Sequence, residues 1–112
     1  MAYDEELAHR LRAELSGTDG VTEMAMFGGR AFLINGNMAV SASGQGGLLL
    51  RCDPAETEKL IADPHAHRFE MRGRGMNGWL RIDIDGITSD QGLKRWVAVG
   101  VRYAESLPPK RA

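Results

Sequence analysis

"GRGMNGWLRIDID", residues 73–85, supports two readings that lead to different folds. Gly73, Gly75 and Gly78 match the dinucleotide-binding pattern GxGxxG letter for letter. A working copy of that pattern lies between a strand and a helix, because the helix N-terminus offers N–H groups and positive dipole to a pyrophosphate. Here the residues after Gly78 alternate as a strand does, with Leu80, Ile82 and Ile84 on one face and Trp79, Arg81, Asp83 and Asp85 on the other. The acidic residue that should follow about 20 positions on is missing, since the count from Gly73 falls on Leu93. The glycines are therefore read as a hairpin or bulged connection that needs positive φ, and no nucleotide cofactor is expected.

Outward from this stretch the same alternation recurs. "HRFEMR" before it reads as a partner strand, and Ser89 after it caps a long helix. That helix has an apolar stripe of Leu93, Trp96, Val97, Gly100, Ala104 and Leu107, closed by Pro108-Pro109. Upstream, Asp53-Pro54-Ala55-Glu56 combines an N-cap, a first-turn proline and a capping-box glutamate, and Pro64 ends the short helix that follows. "TEMAMF", "RAFLIN", "NMAVSAS" and "GLLLRC" are four short strands in meander order, with Asn35-Gly36 marking a type I′ hairpin. Residues 4–16 set Leu7, Ala8, Leu11 and Leu15 on one helical stripe before Gly17. The predicted order is α-β-β-β-β-α-β-β-α, an α+β domain with a mainly antiparallel sheet and its long helices on one face.

Composition limits what such a domain does. The chain has 112 residues, 43% hydrophobic and 26% charged, which fits one globular domain over residues 1–112. Cys52 is the only cysteine, so no internal disulfide forms. The start "MAYDEEL" is acidic, unlike a secretory signal, and runs such as "AFLI" fall far short of the roughly 20 apolar residues that cross a bilayer. A cytoplasmic, non-membrane protein is expected. Net charge is −1, with no basic block, so direct nucleic-acid binding is not expected. Only Lys59, Lys94 and Lys110 among the 14 basic residues are lysines. Arginine binds anions well, but a GC-rich genome produces the same bias.

Residues with chemical potential are few. His65 and His67 with Cys52 make a thin metal set, without a CxxC or HExxH motif beside them. Cys52 shares the parity of Leu48 and Leu50 and reads as a buried thiol rather than a nucleophile. Asp83 and Asp85 share a strand face with Arg81, which favours ion pairing over a catalytic carboxylate pair. The expectation is no catalytic residue, no metal and no cofactor. Parity places Trp79, Arg81 and Arg51, with Ala39 and Ser41, opposite their apolar neighbours, on a mixed sheet face away from the long helices. Tryptophan beside arginine is enriched at interfaces, so a protein partner or a homodimer contact is expected there. A second reading is an anion or small-molecule site between "MFGGR" and "RGRGM", with Arg30, Arg72 and Arg74 supplying charge.

Four features occur together: "MFGG" at Met26, Phe27, Gly28 and Gly29; "NGNM" at 35–38; "MNGW" at 76–79; and a last helix bearing Trp96. In this order the chain resembles the N-terminal domain of the TfoX/Sxy competence-regulator family, from Tyr3 to about Leu107. The resemblance implies a two-layer α+β domain, similar in architecture to secretion-chaperone-like folds, with a non-enzymatic regulatory role. Bacterial members promote natural competence by assisting a cyclic-AMP-receptor-type transcription factor. The resemblance gives Met26, Phe27, Gly28 and Gly29 no catalytic role, and they carry over as a fold signature and contact surface. The competence regulators continue into a second, helical domain where this sequence ends at Ala112, which counts against a promoter-directed role for this chain alone.

Overall fold

The computed structural model describes residues 3–26, 28–71 and 73–110. Asp4 accepts hydrogen bonds from the Glu6 and Leu7 N–H groups and so starts α1, Glu5–Glu14. Six strands follow: β1 Val21–Met26, β2 Gly29–Ile34, β3 Asn37–Ala42, β4 Leu48–Arg51, β5 Ala66–Met71 and β6 Arg74–Ile82. Between β4 and β5 lie a 3₁₀ turn, Pro54–Glu56, and the one-turn α2, Thr57–Leu60. Ser89 caps α3, Asp90–Ser106, by accepting from the Gly92 N–H at 3.0 Å. The predicted order of elements is the observed one. All strand pairs are antiparallel, and the sheet runs β1-β2-β3-β4-β6-β5.

All three helices lie against one face of this sheet. Leu7 and Leu11 of α1 and Leu93, Trp96 and Val97 of α3 join Phe32, Ile34, Val40, Leu48, Leu50, Leu80 and Ile82 in the main core. Leu60 and Ile61 close its margin. α3 crosses β3 closely at Gly100, where an added methyl would stand 2.5 Å from the Ala39 carbonyl oxygen and 2.8 Å from Val40 Cγ1. Helix propensity favours alanine over glycine by roughly 1 kcal/mol, but backbone at that distance does not yield. Glycine is what permits the contact.

The opening motif is a hairpin followed by a bulge. Met71 pairs with Arg74 across a turn in which Gly73 has φ 78. The β5 register then jumps from Phe69↔Met76 to Arg68↔Leu80, so that residues 77–79 have no β5 partners. Gly78, at φ 88, sits at the centre of this bulge. Its N–H donates to Thr57 Oγ1 at 2.8 Å and its carbonyl accepts from the Cys52 N–H at 2.9 Å. The Thr57 hydroxyl, buried, donates in turn to the Pro54 carbonyl at 2.9 Å. Both backbone groups of a buried glycine are thereby satisfied, and α2 is tied to the sheet.

Three local expectations need correction. The strand at 79–85 starts earlier, at Arg74, and stops at Ile82; Ile84 lies in a 3₁₀ turn and is exposed rather than aligned with Leu80. Ala39 does not share a face with Trp79. The register shifts between Phe32 and Leu33, leaving Ala39 as an extra residue that turns into the main core. At Asp53, the side chain caps Ala55 at 2.9 Å, but the helix it starts is a 3₁₀ turn.

The Thr57 hydroxyl makes a sharp test of the bulge. Thr57→Val keeps the shape and strands the Gly78 N–H, so it should lower stability by about 1–3 kcal/mol. Thr57→Ser keeps the hydroxyl and loses one methyl, about 1 kcal/mol. Urea unfolding of the two variants should place Val below Ser, and the reverse order would remove the hydroxyl from this role.

Candidate interaction surface

The face of the sheet opposite the helices has an apolar centre of its own. Ala31, Met38 and Leu49 are buried there, with Met26, Leu33, Phe69 and Trp79 half-buried around them. Strand parity puts them there: Ala31 and Leu33 alternate with the core residues Phe32 and Ile34, Leu49 with Leu48 and Leu50, and Trp79 with Leu80. The expected mixed face is thus more apolar at its centre than parity alone suggested, because Met38 and Phe69 also point into it.

Arginines frame this cluster. Arg51 and Trp79 are cross-strand partners, and the Arg51 guanidinium carbon lies 5.1 Å from the Trp79 ring centroid and 5.4 Å from that of Tyr103 on α3. A cation held between two aromatic faces is fixed in position without losing its charge. Arg81, paired with Leu49, donates to the Gln45 carbonyl at 3.1 Å and the Gly46 carbonyl at 3.4 Å. Trp79, Arg81 and Arg51 are therefore brought together on one face. Tyr103 escaped the sequence reading, although it follows Trp96 by seven residues and so shares its side of α3.

Three of the four features of the sequence signature meet here, while Trp96 lies in the main core on the other side of the sheet. Met26 from "MFGG", Met38 from "NGNM" and Trp79 from "MNGW" belong to the same cluster. Gly28 turns at φ 75, and Gly29 lies against the Ala42 carbonyl, where no side chain fits. Asn35 and Gly36 both have positive φ, 52 and 85, as a type I′ turn requires. Phe27 lies outside the described residues.

That signature has a counterpart among known families. Residues 13–104 match the model of the TfoX N-terminal domain. The chain belongs to the TfoX N-terminal domain family. No curated protein and no solved structure matches it significantly. Family membership accounts for a regulatory-type module and goes no further into partner or pathway.

The anion site drawn from Arg30 and Arg74 does not assemble. β3 and β4 separate β2 from β6, and the β1–β2 and β5–β6 turns lie at opposite ends of the sheet. Sequence spacing could not show this, because it depends on strand order. Arg30 is also occupied: its Nε donates to Glu23 Oε1 at 3.1 Å, while Arg12 of α1 holds the same carboxylate at 2.6 and 2.8 Å. Arg72, the third residue of that site, lies outside the described residues.

The other reactive groups are separately engaged. Cys52 is buried on the helix side, and burial raises its thiol pKa. His67 Nε2 lies 2.8 Å from Asp83 Oδ2, a contact that holds the Asp83 carboxyl below its usual range. Among the described residues no three histidine, cysteine or acidic side chains gather as a metal set. No helix among them is long and apolar enough to cross a membrane.

The Arg12 and Arg30 contacts hold the Glu23 pKa down, from 4.5 to about 2. A carboxylate with a depressed folded pKa stabilises the fold above its unfolded pKa and loses that contribution as pH falls through the folded one. Glu23→Gln should cost about 1–2 kcal/mol at pH 7, allowing for partial solvent screening. The gap to wild type should narrow between about pH 4.5 and pH 2 in urea melts. A gap constant with pH would mean that the ion pairs contribute nothing.

Proposed function

We propose that this chain is a non-enzymatic, cytoplasmic regulatory module that binds a protein partner through the open sheet face that carries Trp79, Arg51 and Arg81. The observation that carries this reading is the convergence of Met26, Met38 and Trp79, from three separated signature segments, on one apolar cluster that no helix among the described residues covers. Core packing alone gives no reason to gather polarizable methionines and a tryptophan on the side away from the helices. A binding surface does, because methionine adapts its shape to a partner and tryptophan contributes a large, rigid contact.

The arginines add orientation. Arg51 and Arg81 present cationic groups at the rim, where charges steer approach and fix register more than they add affinity. A partner with acidic residues flanking an apolar contact suits this arrangement. Within its family, the reading extends to a bacterial transcription regulator of the cyclic-AMP-receptor type, which the module engages as a protein without touching DNA itself. The net charge of −1 is in keeping with that last point.

Trp79→Ala decides the matter. Capture of the host's cyclic-AMP-receptor-type regulator by the purified chain should weaken at least tenfold, as truncating a central aromatic anchor does. Far-UV circular dichroism should show the fold retained, and Lys94→Ala on α3 should capture normally. Equal capture by wild type and Trp79→Ala would remove the open face from the function. A thermal-shift panel of nucleotides, phosphates and divalent metals should be flat, whereas a ligand present at 100 times its Kd stabilises by about 2.7 kcal/mol.

A further inference from the structure

The two edges of the sheet are built differently. β5, at one edge, exposes His67 and Glu70, also carries Arg68, and has a register broken by the 77–79 bulge. Charges and bulges of this kind discourage another strand from pairing. β1, at the opposite edge, has no bulge and a single charge: it pairs with β2 in unbroken register and contains no proline, lysine or arginine. Its one charge, Glu23, points to the helix side and is neutralised by Arg12 and Arg30. Met24 is 47% exposed, one of two exposed large apolar side chains among the described residues. An unguarded edge with an exposed apolar residue at its middle invites a strand.

The residues of β1 specify which strand fits. Met26 and Gly29 face each other across a two-residue connection, and such closing pairs exchange hydrogen bonds. By alternation Thr22, Met24 and Met26 turn their N–H and C=O groups to β2, while Val21, Glu23 and Ala25 direct theirs outward. The bond from the Asn35 N–H to the Gly20 carbonyl, 2.9 Å, continues that alternation.

We infer that the β1 edge pairs antiparallel with β1 of a second copy, about a two-fold axis at Met24. This register sets Met24 against Met24 of the second copy and Thr22 against Met26. It also sets Glu23 against Ala25, whose small side chain leaves the Glu23 ion pairs undisturbed. A shift by one residue pair towards the N-terminus opposes two Glu23 carboxylates, and larger or opposite shifts shorten the ladder. The segment is thus complementary to itself in one register. The two-fold keeps the helices of both copies on one side and joins the two open faces into one twelve-stranded surface. The contact is a single strand edge, small for a stable interface, so the dimer is concentration-dependent.

Sedimentation equilibrium over tens to hundreds of micromolar protein should show a reversible monomer–dimer equilibrium. Ala25→Pro removes an outward N–H where proline is tolerated, and should leave a folded monomer. Met24→Cys places two thiols on directly opposed residues, whose Cα atoms lie about 4.5 Å apart in a pair of this kind. It should form a disulfide-linked dimer on mild oxidation, and Ala25→Cys should not; Cys52, fully buried, does not compete. Trp79→Ala should dimerise as wild type does, which separates this edge from the open face. A wild type monomeric throughout that range would overturn the inference, as would dimerisation by a folded Ala25→Pro. Dimerisation lost in Trp79→Ala would place the second copy on the open face instead and overturn it too. If Ala25→Pro does not fold, the two cysteine variants decide alone, and equal cross-linking refutes the register.

Discussion

The bond from the Gly78 N–H to the Thr57 hydroxyl fixes the register of the strand that separates core from surface. On one side of that bond β6 pairs with β5 alone; on the other it pairs with both β4 and β5. One residue of slip there would send Leu80 and Ile82, both fully buried, to the open face and bring Trp79 and Arg81 into the core. The positive φ of Gly78 makes the bulge, and the hydroxyl keeps its buried amide satisfied. The glycines that imitate a nucleotide motif are thus a register device. Of the three, Gly75 lies in regular strand opposite Glu70, against the Arg68 side chain.

The open face follows from the size of the helix layer. Two long helices and one single turn cover one side of six strands, and the described chain provides no further element for the other. Each strand must still place every second side chain there. A solvated sheet face is normally polar, yet here three strands contribute Met26, Met38 and Leu49, and the bulge adds Trp79. Arg51 connects the two layers, since it touches Trp79 on one side and Tyr103 of α3 on the other. A partner that displaces the Trp79 ring would therefore be felt at the C-terminal half of α3.

Much of this was legible in the sequence because local rules govern it. Ser89 and Asp53 cap where their side chains predict, and Asn35-Gly36 turns as that dipeptide should. The period of two misleads where a bulge breaks it or a strand ends early. Parity puts Ala39 on the open face, but the shift beside Leu33 turns it inward; alternation extends to Ile84, but the strand ends at Ile82 and a 3₁₀ turn follows. Arg30 and Arg74 both sit beside glycines in the sequence, whereas strand order sets them at opposite ends of the sheet. Parity is a local property and strand order is not. Trp79, Arg81 and Arg51, which parity puts on one face, lie on two strands that pair directly.

The bulge at 77–79 also makes the sheet asymmetric at its edges. By removing three residues of β6 from the β5 ladder it leaves β5 irregular and its charged side chains exposed, a poor template for another strand. β1 has no such interruption, because the "MFGG" turn closes it directly onto β2 and the glycine at 29 allows that turn to lie against Ala42. One signature segment thus orients the tryptophan and blunts one edge, while another keeps the opposite edge straight. A mutation that relaxed the bulge would alter both at once, exposing a second regular edge as it buried the tryptophan. The geometry that sets the open face and the geometry that leaves only β1 available for pairing are in this sense the same constraint.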